Sequence, residues 1–345
     1  MRAAVFKSPG QPLVIEQVED PTPGPGELVI KVHSCGVCGT DLHWSECKDD
    51  SHGYRLLQPG AVMGHEFAGE VVASGRDAGN RFKTGDRVCA LPFIGCGRCA
   101  VCLAGIPHRC ANVINRASND LTGAYAEYAR IGAAETLLLP ESVDYRHGAL
   151  VEPLAVGLHA VNRARLGPDD SVLIVGAGPV GLAVATWCRF VGAREVIVSD
   201  LVLERAERAT EFGATAAIDA SKEDVKAAAQ RIAGNSLKVI FDCVGVPGSL
   251  QVAMDYADID ARVVVVGLCM APDTFLPARA IVKELDLIFA FVYRRQDFEL
   301  ALNALRHERI KVDGMVTRSV GFDAFPTTFE ALKKPGRDIK VMLEP

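Results

Sequence analysis

Four cysteines stand within fifteen positions: Cys96, Cys99, Cys102 and, after seven intervening residues, Cys110. Thiolates at this spacing suit a tetrahedral zinc with four sulfur ligands, and Gly95 and Gly97 allow the tight turns that such a loop needs. An iron–sulfur cluster also uses cysteines two apart. Its bacterial pattern, however, brings the fourth sooner and follows it with proline, whereas Ala111 follows Cys110. A cluster of buried free thiols is the other alternative. A zinc with all four positions filled by protein is closed, so this one is expected to be structural.

A second signal runs from Val172 to Gly181, where a short apolar strand leads into G-x-G-x-x-G. Gly176 makes the tight turn, Gly178 lets a pyrophosphate approach the backbone, and Gly181 lets helix pack on strand, with Pro179 and Val180 opening that helix. The helix N-terminus then offers unpaired N–H groups and a positive dipole end to the phosphates. The motif alone is weak, but the next strand ends in Asp200, nineteen residues after Gly181. A carboxylate there can accept from both ribose hydroxyls and would repel a 2′-phosphate, which points to NAD rather than NADP. Arg205, five residues on, is either a second ribose contact or a solvated surface side chain.

A third set is scattered: Cys38, His65, Glu66 and Glu152. Singly, each reads as a buried thiol, a satisfied histidine or a surface acid. Their local words are Gly36-Val-Cys38-Gly-Thr-Asp41 and Gly64-His65-Glu66. Together with the glycine turn and the four-cysteine loop, these resemble the medium-chain zinc-dependent alcohol dehydrogenases, in the sorbitol and threonine dehydrogenase-like branch. The likeness covers essentially the whole chain, with four motifs in order. It implies an α/β protein with a mostly β, GroES-like catalytic domain and a doubly wound parallel-sheet Rossmann domain. It also implies a catalytic zinc on Cys38, His65 and Glu152, with a fourth position open. Glu66 is then a transient ligand or a group behind the ligands, and Asp41 an acid that fixes the His65 ring. Cys35, at C-x-x-C spacing from Cys38, is expected to pack rather than to ligate.

The resemblance further implies a proton relay from Thr40 to His43, because a zinc acting as Lewis acid lowers the pKa of an alcohol hydroxyl, whose proton must then leave a closed site. His43 is suited to be the terminal base. Leu268 and Phe291 are expected near the nicotinamide, and Lys340 near the pyrophosphate. Pocket walls are expected from Trp44, His52, Tyr54, Leu56, Phe93, Asn115, Phe291 and Tyr293.

Three zones of different texture must hold these residues. Up to about residue 150, short β-like runs (28–32, 70–73, 87–91, 125–130) alternate with loops rich in Gly, Pro and Cys. From 154 to 290, strands at 171–175, 195–199, 239–242 and 262–266 alternate with helices at 180–191 and 204–212, as in a parallel sheet covered on both faces. The last zone has an amphipathic helix at 297–305 and a strand at 339–343, and is too short to stand alone. The domains are therefore expected at 1–153, completed by 291–345, and at 154–290.

The 345 residues, 49% hydrophobic and 23% charged, provide for two cores. A formal charge of −6 without basic runs argues against nucleic acid. No stretch is long and apolar enough to span a bilayer, since the most apolar region, 280–292, is broken by Lys283, Glu284 and Asp286. A cytoplasmic protein is expected, and the resemblance implies a homodimer or homotetramer. The reading is thus of a hydride-transferring enzyme with two zinc ions and NAD that acts on a secondary alcohol, diol or polyol and gives the ketone. The alternatives are a threonine-type amino-alcohol dehydrogenase, or a catalytically silent NAD-binding zinc protein. The silent protein predicts the loss of Cys38, Thr40, His65 or Glu152, and all four are present.

Overall fold

The structure, a computed structural model, describes residues 1–48, 56–78, 81–115, 122–234, 237–334 and 336–345. It divides into two compact units. The first is Met1–Glu152 with Arg294–His307 and Asp313–Pro345; the second is Pro153–Tyr293 with Glu308–Val312.

The chain begins with β1 (Arg2–Val5), β2 (Val14–Gln17), β3 (Glu27–Gly36), α1 (Gly39–Trp44), β4 (Glu66–Ser74) and β5 (Arg87–Ala90). It continues with β6 (Phe93–Ile94), α2 (Ala100–Leu103), β7 (Ile114–Asn115), β8 (Tyr128–Gly132), β9 (Thr136–Leu138) and α3 (Tyr145–Ala164). The second unit holds β10 (Ser171–Val175), α4 (Pro179–Phe190), β11 (Glu195–Asp200), α5 (Leu203–Arg208), β12 (Ala216–Asp219) and α6 (Val225–Ala233). It also holds β13 (Val239–Asp242), α7 (Ser249–Tyr256), β14 (Arg262–Val265), α8 (Pro277–Lys283) and β15 (Asp286–Phe289). The chain then rejoins the first unit as α9 (Arg295–Arg306), β16 (Val316–Val320), α10 (Phe325–Leu332) and β17 (Lys340–Leu343).

Among the described residues, the main sheet of the first unit runs β16-β17-β3-β4-β5-β9, with β8 also on β3. All its pairings are antiparallel except that of β16 with β17. β3 organises it: Leu28, Ile30 and Val32 alternate into the core, as half-buried strands require. Bulges at 29/30 and 32/34 bend the strand, so that it pairs β8 along its first half and β17 at its end. Tyr125, Phe325 and Phe329 pack edge-on beneath that end. All three are fully buried, and each contributes about 1.5–3 kcal/mol by leaving water.

The second unit is a parallel sheet in the order β12-β11-β10-β13-β14-β15. The chain winds outward from β10 in both directions, so the crevice for a ligand lies beyond the carboxyl ends of β10 and β13. Leu173, Ile197, Ile240 and Val263 fill one core layer. At the open edge, β15 leaves Phe289 exposed, and α8 has no buried residue, with Ile281 and Val282 in solvent.

Several elements differ from the pattern read in the sequence. The strand expected at 125–130 begins only at Tyr128, because Tyr125 instead pairs its backbone with Met63 and Ala4. The helix expected at 204–212 ends at Arg208 and finishes as a 3₁₀ turn, Ala209–Phe212. The short segment Glu308–Val312 belongs to the second unit, which the sequence pattern did not indicate; its Ile310 and Val312 are buried. The twenty-residue α3 has no counterpart in the sequence pattern, and it carries Pro153 inside it, where proline ordinarily interrupts a helix.

Candidate active site and metal centres

Strand register brings the scattered ligands together. Gly36, the last residue of β3, pairs with Glu66 at the start of β4 and with Met342 of β17. Cys38 follows as the extended residue that opens α1, and His65 immediately precedes β4. Ligand atoms of Cys38, His65 and Glu66 all lie within 4.8 Å of one another. Two glycines make this approach possible. A Cβ on Gly36 would stand 2.1 Å from Glu66 Oε2, and Gly64 has φ +95° with its Cα 's missing Cβ position 2.5 Å from the Tyr125 ring. One thiolate, one imidazole and one carboxylate are the donors of a catalytic zinc with room for a further ligand, so the residues fit that ion.

Behind them, His65 Nδ1 lies 3.2 Å from Asp41 Oδ1, and the Tyr125 hydroxyl donates to Asp41 Oδ2 at 2.6 Å. Asp41 therefore orients the imidazole and leaves Nε2 for a metal. Burial alone would lower the pKa of His65, but the charges and hydrogen bonds of Asp41 and Cys38 outweigh it and hold the group well above its ordinary value. Tyr125 is 84 residues from Asp41 in the chain and carried no sequence signal.

Lys340, expected near the pyrophosphate, is buried against Glu66. Its side chain is 1% exposed, and Nζ donates to Glu66 Oε2 at 2.6 Å, Glu66 Oε1 at 2.7 Å and Val37 O at 2.9 Å. Its three donors are thus used inside the first unit, and it is the counter-ion of Glu66. Burial opposes its charge, but Glu66, Cys38 and Glu152 together raise its pKa. A lysine in the apolar run Ile339-Lys-Val-Met-Leu was the signal for a buried acidic partner. Glu152, on α3, is buried and acts on Lys340 electrostatically, but it lies outside the Cys38, His65 and Glu66 cluster. Of the two acids expected at this metal, the structure gathers Glu66 with Cys38 and His65.

Thr40 and His43 are three apart on α1, and so share a face. His43 is exposed, and the shielding it keeps lowers its pKa. Of the expected pocket walls, His52 and Tyr54 lie outside the described residues. Phe93 is buried in β6 against the His108 ring, and Tyr293 is fully buried. Cys35 is buried in β3.

The sulfurs of Cys96, Cys99, Cys102 and Cys110 also lie within 4.8 Å of one another. The N–H groups of Arg98 and Cys99 lower the Cys96 thiol to about 6, whereas burial and the Cys99 side chain push Cys102 up to about 12. Cys96 is therefore the thiolate ready for a cation at neutral pH, and a soft divalent ion would draw the remaining protons off. Gly95 has no room for a side chain, since a Cβ there would meet Cys102 Sγ at 2.8 Å and Pro107 at 2.9 Å. This donor set fits a structural zinc.

In the second unit, Gly176 has φ +99°, and a Cβ on Gly181 would stand 1.9 Å from Gly176 O. Gly178 caps α4, with Pro179 at its first position and Val180 next. Asp200 ends β11, where Oδ2 accepts from Ala177 N at 2.8 Å and Oδ1 from Val202 N at 2.9 Å, and each oxygen keeps a lone pair free. The Arg205 guanidinium lies 3.4 Å from where a Gly178 Cβ would be, and its buried Nε has no partner. An orphaned cationic donor beside a bare glycine turn fits a dinucleotide. Leu268 follows Gly267, which packs against Gly245, and Phe291 is half-exposed.

A doubly wound sheet with this turn, a bent β-sheet unit and two clusters of metal donors define a zinc-binding dehydrogenase. The Alcohol dehydrogenase GroES-like domain family matches residues 24–141, and the Zinc-binding dehydrogenase family matches 179–307. A sorbitol dehydrogenase of Bacillus subtilis is 31% identical, over 100% of this chain and 97% of its own. An L-threonine 3-dehydrogenase of Aeromonas hydrophila is 32% identical, over 94% of each chain. A solved structure assigned as a zinc-binding dehydrogenase, from Sinorhizobium meliloti 1021 and bound to NADP, superposes with a TM-score of 0.85 at 30% identity, over 100% of this chain and 99% of its own. The chain belongs to the medium-chain zinc-dependent alcohol dehydrogenase family.

Proposed function

We propose that the protein is a zinc- and NAD-dependent dehydrogenase that oxidises a secondary alcohol, diol or polyol to the ketone. The observation that carries this reading is the meeting of Cys38, His65 and Glu66, with Asp41 fixing the imidazole. When bound, zinc supplies Lewis acidity toward an alcohol oxygen, and NAD supplies the hydride acceptor. Cys38, His65 and Glu66 hold the metal, with Glu152 as a further acid close by. Lys340 holds the Glu66 carboxylate in place through two hydrogen bonds. Thr40 and His43, on one face of α1, carry the alcohol's proton outward. The lowered pKa of His43 leaves its imidazole neutral at physiological pH and able to accept. Asp200 selects NAD, because its carboxylate would face a 2′-phosphate with like charge. No helix among the described residues is long and apolar enough to cross a membrane.

A reduction assay with NAD and with NADP, over secondary alcohols, diols, polyols and threonine, tests this reading. Turnover of a diol or polyol with NAD, abolished by a strong chelator, is expected. Preference for NADP, or for threonine alone, or activity indifferent to chelation, would overturn the corresponding part.

A further inference from the structure

Glu135 lies in the turn between β8 and β9 and is 4% exposed, yet no part of the chemistry above uses it. Its Oε1 accepts from Gly95 N at 3.1 Å, one residue before Cys96. Its Oε2 is buried without a hydrogen-bond partner. Two glycines make space for this carboxyl: a Cβ on Gly132 would stand 2.2 Å from Oε2, and one on Gly95 would stand 3.4 Å from Oε1. Arg295, the first residue of α9, bridges the same two segments. Its backbone N–H donates to Gly105 O at 2.8 Å, its guanidinium donates to Ala134 O, and Glu299 steadies it at 2.7 Å. The four-cysteine lobe is thereby tied to one turn of the β-sheet unit at two points, at Gly95 just before Cys96 and at Gly105 between Cys102 and Cys110.

We propose that Glu135 and Arg295 form a clamp that positions the four-cysteine lobe for its metal, holding the Gly95–Cys96 corner and the Gly105 turn at the separation the four sulfurs need. Both are positioning residues, since neither supplies a ligand. Burial raises the pKa of Glu135 against the pull of Gly95 N–H and Arg295, which agrees with a carboxyl kept as a hydrogen-bonding strut. Without the clamp, the loop must pay its ordering entropy when the metal binds, and release becomes faster.

The inference rests on the lobe holding a metal, not on the alcohol chemistry, so its test does not use turnover. Cobalt replaces zinc in a Cys38→Ser background, so that the thiolate-to-cobalt absorption reports the lobe alone. Its decay is followed after adding excess chelator. Glu135→Ala and Arg295→Met are expected to speed release tenfold or more. Glu135→Gln, which keeps an acceptor for Gly95 N–H, should stay within about threefold of the parent. If Glu135→Ala does not fold, Arg295→Met and Glu135→Gln decide the matter. Release at the parental rate in Arg295→Met, or in a folded Glu135→Ala, overturns the proposal. So does Glu135→Gln releasing metal as fast as Glu135→Ala.

Discussion

The sulfurs of the four-cysteine lobe come from one loop of fifteen residues, whereas Cys38, His65 and Glu66 come from the ends of two strands, and Lys340 joins them from the far end of the chain. Backbone N–H groups of its own turn tune the lobe, as at Cys96. The second cluster is tuned by distant side chains: Tyr125 through Asp41 from one side, and Lys340 from the other. A local loop with four protein donors makes a closed, stabilising site. A site assembled by long-range register can leave a coordination position open, because the fold rather than the metal holds its donors apart.

The sharpest way to break this comparison is to remove one sulfur from each cluster. Cys38→Ser should lower turnover by about a thousandfold or more while the protein stays folded and keeps the lobe metal. Cys102→Ser should instead lose the lobe metal and several degrees of thermal midpoint. Metal content, midpoint and NADH formation, measured on both variants, check the contrast. Equal losses of activity and stability in the two would show that the clusters do not divide the roles.

Next in size is the buried ion pair. Lys340→Met leaves Glu66 as an uncompensated acid in a site that is 1% exposed, a change that typically costs about 3–5 kcal/mol. Adding Glu66→Gln should recover much of that loss, because the two residues are coupled through direct contact. Urea unfolding of the single and double variants measures both. An unchanged midpoint in Lys340→Met would show that solvent already reaches the pair. At the lobe, the comparable test is the Glu135 and Arg295 clamp.

What the sequence made legible follows the same division. The lobe was readable from spacing alone, since its residues are local. The glycine turn was readable because its glycines are closely spaced and its tightest contact is local, Gly181 against Gly176 O. Cys38 and His65 were recognisable only through the short words around them. The partners that make the second cluster work were not readable, because nothing near Tyr125 or Lys340 in the chain announces Asp41 or Glu66. A basic residue in an apolar strand, such as Lys340, shows that a buried acid exists, but register decides which one. α3 carries Pro153 inside it, against a local rule that long-range packing overrode.

The smallest expected effect distinguishes orientation from ligation. Asp41→Asn keeps the size of the side chain and its bond with the Tyr125 hydroxyl but removes the charge that steers His65 Nδ1. Loss of such a partner behind a metal-bound histidine typically weakens metal affinity about 10–100-fold. The effect should be confined to one cluster, so a competition titration should find weaker binding at the Cys38 site and unchanged binding at the lobe. The tautomer supplies the reason. An asparagine can present its N–H₂ to Nδ1 as readily as its oxygen, so Nδ1–H is no longer enforced and Nε2 loses its standing as the metal-facing lone pair. If affinity at the Cys38 site is untouched, strand register alone holds His65, and the orienting role given to Asp41 falls. If affinity drops at both clusters, the two sites are coupled through the β-sheet unit, and the division between a local site and an assembled one does not hold.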